Sequence, residues 1–373
     1  MASVTSTSVV LAAGGTGGQL FPAVALAQEL GRRALSVDLV TDQRAGRYGG
    51  DFPARAIYPL PSATFAGRSP VAAVRTGFTL LNGVAAAVRL FRRLKPAAVV
   101  GFGGYPAFAP VVAARLSRVP TLLHEQNAVL GRANRLLAPH ATAVATSFAS
   151  TKFLPDPAGP KVRFVGNPVR DQVLTWANQG YLPSRGEDPF RLLVFGGSQG
   201  ARAFSDTVPA ALALLPAQAR ARLRVVQQCR AEDLAQVEAV YQRESVHAQL
   251  ATFFANLPEQ MAKAHLVIGR SGASTVAELA VLGRPAILVP LPHAIDNDQK
   301  LNAIRLAESG GAWCIEQGEL SPQRLASTLE DLMRAPEVLT AAAAAAKRQG
   351  RPAAVQRLAD LVEELIGNRT GGA

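Results

Sequence analysis

The 373-residue sequence predicts an α/β protein of two Rossmann-like, doubly wound domains facing a cleft. Three features carry that expectation. Short β-branched runs alternate with longer helical patterns, the mark of parallel βαβ units. The alternation breaks and restarts around Gly166-Asn167-Pro168. Glycine-rich loops follow strand candidates in both halves, at the strand ends where open α/β sheets gather ligands.

In the first half the strand candidates are Val9–Ala12, Val37–Val40, Ala98–Gly101, Thr121–His124 and Ala143–Ala145. The clearest helix between them is Pro22–Leu30, with Pro22 near the first turn, where its missing N–H costs nothing, and Gly31 as terminator. A loop rich in Pro and Gly covers Asp156–Pro160. The second half repeats the theme with strands Arg191–Phe195, Arg224–Gln227, Leu266–Ile268 and Ala286–Val289. The Ala-rich stretch Thr340–Lys347 reads as helix or connector, and Arg351–Ile366 as a final amphipathic helix whose packing the pattern leaves open. The expected division is 1–165, 166–345 and a C-terminal helix within 346–373.

Composition narrows the class. Hydrophobic residues make up 49%, enough for packed cores. Two distant cysteines, Cys229 and Cys314, offer neither a disulfide framework nor a zinc site and suit a reducing cytoplasm. The first residues run directly into a glycine loop, so they read as a buried strand rather than a signal core. No uncharged apolar run approaches the ~20 residues that span a bilayer, so a soluble chain is expected. The net charge of +12 asks for an anionic partner: nucleic acid, a membrane surface or phosphorylated ligands. Nucleic acid is disfavoured, because no RNA-binding signature, zinc finger or basic helix stands out and aromatics are 6%. Part of the charge reads as arginines on solvated helix faces.

Gly14-Gly15-Thr16-Gly17-Gly18 links the first strand to the first helix. Glycines there allow a tight turn and close approach of a ligand, and the helix start offers N–H groups and a positive dipole end to an anion. The loop is neither GxGxxG nor Walker A, and a ligand-free βα turn is the plain alternative. Phe195-Gly196-Gly197-Ser198-Gln199-Gly200 repeats the arrangement, with the Ser198 hydroxyl as an added phosphate donor. Gly101-Phe102-Gly103-Gly104-Tyr105 forms a third such loop. Three of them, split between the halves, point to a nucleotide site more than any one does.

Polar groups cluster beside these loops. His124-Glu125-Gln126-Asn127 emerges at a strand's carboxyl end and can hydrogen-bond or move protons, unless it is an ordinary hydrophilic loop. Arg170 in Gly166–Arg170 can place a guanidinium on a phosphate, or mark a hinge with surface charge. Ser271-Gly272-Ala273-Ser274-Thr275-Val276-Ala277-Glu278 opens a helix whose first amides suit a diphosphate and whose Glu278 suits ribose hydroxyls; an N-cap with an early acidic residue is the alternative. Asp296-Asn297-Asp298-Gln299 reads as a solvated loop rather than a metal site, since no partner ligand stands at suitable spacing.

As an ordered set, Gly14–Gly18 with Pro22-Ala23, Gly103–Tyr105, His124–Asn127, Gly166–Arg170, Gly196–Gly200, Arg270–Glu278 and Gln299–Ala303 closely resembles the MurG family of bacterial glycosyltransferases, which make lipid II for peptidoglycan. The resemblance runs from the first glycine loop to about Leu320. It implies the GT-B architecture, an acceptor- and membrane-associated first domain, and a second domain that binds the donor. The implied donor is UDP-N-acetylglucosamine, and the acceptor undecaprenyl-diphosphate-linked MurNAc-pentapeptide, lipid I. It implies inverting transfer with no metal or other cofactor, at the cytoplasmic face of the membrane, with other cell-wall and division proteins as further partners. Residue by residue, Thr16, Gly17 and Gly18 carry over as binding residues, Asn127 lies by the acceptor or sugar, and Arg170 and Ser198 lie at the diphosphate. Phe254 contacts the uracil largely through backbone, Ala273, Ser274, Thr275, Val276, Ala277 and Glu278 wrap phosphate and ribose, and Gln299 binds the sugar.

One position departs from the family. Its first loop continues with a histidine, a candidate general base or stabiliser of the leaving diphosphate, where this chain has Gln19. Glutamine hydrogen-bonds but takes no proton near neutral pH. Either the site is weakened, or glutamine fills a binding role, or the base lies elsewhere, with His124 and Glu125 nearest. Arg75–Arg93 adds Phe78, Leu81, Val84, Val88 and Phe91 at helical spacing, with Arg89, Arg92 and Arg93 at its end. That pattern suits docking on anionic lipid, and equally an amphipathic core helix with a basic outer face. The rival functions are a GT-B transferase for another acceptor, a non-catalytic UDP-sugar-binding relative, and a dinucleotide oxidoreductase using Asp38 or Asp42, the last lacking the third fingerprint glycine.

Overall fold

The computed structural model describes residues 7–14, 17–42, 52–62, 70–154, 161–197 and 201–370. The chain forms two compact units, one of Met1–Arg170 with Ala353–Ala373, the other of Asp171–Pro352.

The first unit holds, among the described residues, β1 (Ser8–Ala12), β2 (Ser36–Thr41), β3 (Ala56–Pro59), β4 (Ala98–Gly101), β5 (Thr121–Glu125), β6 (Ala143–Thr146) and β7 (Val162–Phe164). They pair in the order β3-β2-β1-β4-β5-β6-β7, all parallel. The connecting helices are α1 (Gly17–Arg32), α2 (Pro70–Leu94), α3 (Gly104–Leu116) and α4 (Arg132–Leu137). β1, β4 and β5 are buried throughout, as strands covered on both faces must be. Leu11, Leu26, Leu30, Val100 and Leu122 fill one layer, and Val10, Val40, Val99, Ala87 and Phe91 another.

The second unit repeats the plan. Its strands are β8 (Phe190–Phe195), β9 (Leu223–Gln228), β10 (His247–Ala251), β11 (Leu266–Gly269), β12 (Ala286–Leu288) and β13 (Ala312–Cys314). Their order is β10-β9-β8-β11-β12-β13, again parallel. Its helices are α5 (Asp171–Leu174), α6 (Arg202–Leu214), α7 (Ala217–Arg222), α8 (Leu234–Arg243), α9 (Leu257–Lys263), α10 (Ala273–Leu282), α11 (Asp298–Glu308), α12 (Pro322–Arg334) and α13 (Pro336–Gln349). Phe190, Phe204, Leu212, Leu266, Ile287 and Leu329 anchor its core. Buried Arg284 donates to the carbonyls of Gln179 and Gly180, and Lys347 donates to those of Ala177 and Val281, so two cations fasten segment 177–180. In both sheets the strand order reverses beside the first strand, between β1 and β4 and between β8 and β11. There the carboxyl ends open a crevice.

Two expectations change, and one question left open is answered. The first unit extends to Arg170, and Ala-rich α13 belongs to the second unit, where it packs on α10, so the boundaries at 165 and 345 are moved. Helix α1 begins at Gly17, which places Pro22 inside it rather than in the first turn. The final helix, α14 (Ala354–Thr370), returns to the first unit and packs on α1. Its Leu358, Ala359, Leu361, Val362 and Leu365 join the layer of Leu26 and Leu30. Arg33, just past α1, gathers Glu29, Asp360 and Glu363 and donates to the Gln356 carbonyl. The expected loop Asp156–Pro160 lies outside the described residues.

Because Leu358 is fully buried, Leu358→Ala is expected to cost about 2–5 kcal/mol, read as a lower midpoint in denaturant unfolding. An unchanged midpoint after truncation at Pro352 would show α14 to be a dispensable tail.

Candidate functional site

At the crevice of the first unit, the loops after β1 and β4 meet because β1 and β4 pair directly. Gly103 and Gly104 take φ of 79° and 68°, a left-handed backbone that favours glycine. The Gln19 side chain reaches over both loops: a Cβ on Gly14 would lie 2.5 Å from its Oε1, and one on Gly104 2.6 Å from its Nε2. The glycines thus make the room in which the Gln19 carboxamide sits. Gly17 and Gly18 open α1 beside it, and Gly18 is exposed. Thr16 lies outside the described residues.

The cluster after β5 is a buried scaffold. His124 is wholly buried; Nε2 lies 3.1 Å from the Gly166 carbonyl and Nδ1 2.9 Å from Gln126 Nε2. The amide donates to Nδ1, so the proton sits on Nε2 and is given to Gly166. Burial pushes the ring down to about 4, against the Gly166 contact that favours its charged form. The neutral ring has both nitrogens engaged. Glu125, 2% exposed, accepts from the Asn127 and Gly131 amides at 3.1 and 2.8 Å and from the Asn127 and Asn134 side chains at 3.3 and 2.8 Å. Burial raises its pKa while those donors lower it. One carboxylate therefore fixes the Asn127 loop and the start of α4. Neither His124 nor Glu125 presents an unengaged base in this arrangement.

Arg170 ends the first unit with its guanidinium 4.3 Å from the centre of the Phe21 ring on α1. Asn167 is 5% exposed, and both polar atoms of its side chain are buried without a hydrogen-bond partner. Sequence reasoning singled out neither Phe21 nor the Asn167 side chain, nor Asn134. Asp38 is no ribose acceptor: it is buried in β2, accepting from Ser8 at 2.8 Å and paired with Arg55 at 2.6 Å.

On α2 the expected lipid-facing stripe divides. Phe78 and Leu81 are 66% and 70% exposed, whereas Phe91 is 3% exposed and Val84 and Val88 pack against the same core layer. Phe91, Val84 and Val88 are therefore core residues, because their spacing turns them towards the sheet. Arg89, Arg92 and Arg93 are exposed.

In the second unit Ser198 lies outside the described residues. The Gly196 amide donates to Gln228 Oε1, and Gln228 Nε2 donates to the Thr252 carbonyl, tying together the ends of β8 and β9 and the loop after β10. Phe254 is buried in that loop, and its unexpected neighbour Phe253 is 74% exposed. Helix α10 starts at Ala273 with no side-chain cap, so first-turn amides are left to a ligand or to water. The Ser271 and Ser274 hydroxyls, beside that start, are buried without a hydrogen-bond partner. Thr275 and Ala277 are partly exposed, whereas Val276 and Glu278 are buried. Arg270, at the head of the Arg270–Glu278 motif, donates to the Val289 and Pro290 carbonyls and to Gln317, bracing the strand ends. Gln299 Oε1 accepts from the Leu291 amide at 3.0 Å. Among the described residues no three His, Cys, Asp or Glu side chains group as a metal site.

The neutral His124 sets an acid limit. Its ordinary pKa of 6.5 falls to about 4 on folding, so the unfolded chain binds the proton first. The stability from keeping the ring neutral is complete above about 6.5 and lost as pH falls to 4, by about 3 kcal/mol. His124→Gln is expected to flatten that part of the stability–pH profile, measured by denaturant unfolding.

The Glycosyltransferase family 28 N-terminal domain matches residues 9–146 and the family 28 C-terminal domain residues 191–358. The chain is 52% identical over 366 residues to a Chelativorans sp. (strain BNC1) protein, covering 97% of this chain and 96% of that one. It is 55% identical over 363 residues to a Methylobacterium sp. (strain 4-46) protein, covering 97% and 98%. Both relatives are named UDP-N-acetylglucosamine--N-acetylmuramyl-(pentapeptide) pyrophosphoryl-undecaprenol N-acetylglucosamine transferase. The crystal structure of Acinetobacter baumannii MurG superposes with a TM-score of 0.79 at 30% identity, covering 96% of this chain and 99% of that one. The paired glycine loops, the uncapped α10 and these near-full-length matches together make the chain a member of glycosyltransferase family 28, within its MurG group.

Proposed function

We infer that the chain transfers N-acetylglucosamine from UDP-N-acetylglucosamine to the C4 hydroxyl of undecaprenyl-diphosphate-MurNAc-pentapeptide, giving lipid II with inversion at the anomeric carbon. The observation that carries this reading is the 52–55% identity, over 97% of the chain, to enzymes named for that transfer. The second unit binds the donor: the α10 amides with Ser271 and Ser274 take the diphosphate, Glu278 the ribose, Phe254 the uracil and Gln299 the sugar. Ser198 adds a donor to the diphosphate, and Arg170 adds charge. A helix N-terminus and a guanidinium stabilise the departing diphosphate without calling on a metal. Thr16, Gly17, Gly18 and Asn127 are likewise assigned to UDP-N-acetylglucosamine binding, with Asn127 beside the acceptor or sugar.

Gln19 stands where the family places a histidine. Its carboxamide lies over the loops after β1 and β4, which supports a hydrogen-bonding role in orienting the acceptor. His124 and Glu125 serve as positioning residues, since each is buried and fully engaged. Sugar transfer by the purified chain, measured with a lipid I analogue, tests the reading. Gln19→His is expected to raise kcat by ~10²-fold, the lower range of general-base assistance, and to add a limb to the pH–rate profile near the ordinary histidine pKa of about 6.5. No transfer by either form would overturn the assignment.

The chain works at the cytoplasmic face of the membrane as a peripheral protein. No described helix is long and apolar enough to cross a bilayer, and Phe78 and Leu81 stand exposed on the helix that ends in Arg89, Arg92 and Arg93. Phe78→Ser with Leu81→Ser, or charge reversal of the three arginines, is expected to abolish most co-sedimentation with anionic liposomes. Undiminished sedimentation of both variants would remove the membrane role of α2.

A further inference from the structure

The second unit carries a basic recess at the amino ends of its strands, away from the loops that follow their carboxyl ends. Arg191 on β8 is in register with Arg224 on β9, and Arg224 with His247 on β10. Three exposed basic side chains thus form one row across three adjacent strands, bordering a pocket of about 450 Å³. Like charges directly opposite one another destabilise a sheet, so the row is a cost that folding alone does not explain. No carboxylate lines the pocket. The one lysine there, Lys263, is held by Glu259 at 2.5 Å, whereas Arg191 and Arg224 make no ion pair among the described residues. Arg224 instead donates to the carbonyls of Ala221 and Leu223. Two register rows further along, on the same face of the sheet, Leu193 and Val226 supply an apolar floor beside the charges.

The positive field is felt nearby. His265 accepts from the Arg191 amide and is pushed down to about 4 by burial and by the charges of Arg191, Arg284 and Arg222. Neighbouring strands lie ~4.8 Å apart, so the row is about 10 Å long. A single carboxylate meets one guanidinium of such a row, whereas a diphosphate spans two. Guanidinium forks match phosphate oxygens in pairs, and the volume is that of a small-molecule site.

We propose that this recess binds a phosphate-bearing small molecule, its phosphates laid across Arg191, Arg224 and His247 and its apolar part resting on Leu193 and Val226. The site is separate from the donor loops and adds a second phosphate-recognition surface to the unit. Calorimetric titration of the full chain with inorganic pyrophosphate tests it. The wild type is expected to show a binding event that weakens at least tenfold in Arg191→Gln/Arg224→Gln and persists in Ser274→Ala, which alters only the α10 end. Sugar transfer without added pyrophosphate is expected to be unchanged in the double variant, and its unfolding midpoint equal or higher. Sedimentation with phosphatidylglycerol vesicles separates the sources: loss in the double variant assigns the phosphate to a lipid headgroup, and no change assigns it to a soluble ligand. Identical pyrophosphate isotherms for wild type and double variant would overturn the proposal.

Discussion

Parallel pairing around a central first strand is the constraint on which both units depend. In a parallel sheet the carboxyl ends of all strands point the same way, and every connection must cross back over a face. With β1 and β8 central, the crossovers diverge to opposite sides, and the loops after β1 and β4, and after β8 and β11, cannot cover one another. The openings so created hold Gly14, Gly17 and Gly18 with Gly103-Gly104 in one unit, and Gly196-Gly197 with Ser271–Ser274 in the other. The glycines follow from that geometry: loops emerging side by side from paired strands leave no room for Cβ atoms where Gln19 lies.

Burial sorts the polar residues by role. His124 and Glu125 sit at the end of β5 with their hydrogen bonds spent inside the first unit, one holding the Gly166 carbonyl and the other the Asn127 loop. Their value lies in rigidity, since an unmet donor or acceptor at such depth costs about 1–3 kcal/mol. Asn167, Ser271 and Ser274 are the opposite case, buried polar groups with no partner in the protein. Groups of that kind mark places where stability is surrendered to a ligand or to water.

The interior strands were readable and the borders were not. All nine strand candidates correspond to strands, whereas β3, β7, β10 and β13 went unseen. Those four are the edges of the two sheets. An edge strand buries little, and β10, three of whose five residues are exposed, carries neither the apolar run nor the clean alternation that reveals a strand. The site was legible where chemistry is local, as in glycines that need a left-handed backbone and a helix start after a strand. It was illegible where depth decides: the sequence cannot tell that His124 is sealed or that Phe91 turns inward while Phe78 turns out. The pairing of α14 with α1 was hidden for a related reason, because an amphipathic pattern names a face without naming its neighbour.

That last pairing makes the second unit an insertion within the first. As the chain leaves the ribosome, Asp171–Pro352 is complete before the helix that seals Leu26 and Leu30 has been made. The first unit must wait through the synthesis of the whole second one with an apolar layer uncovered, a period of about ten seconds or more at ordinary translation rates. Order of birth is thus reversed in order of completion, and the earliest-made residues are the last to be sheltered.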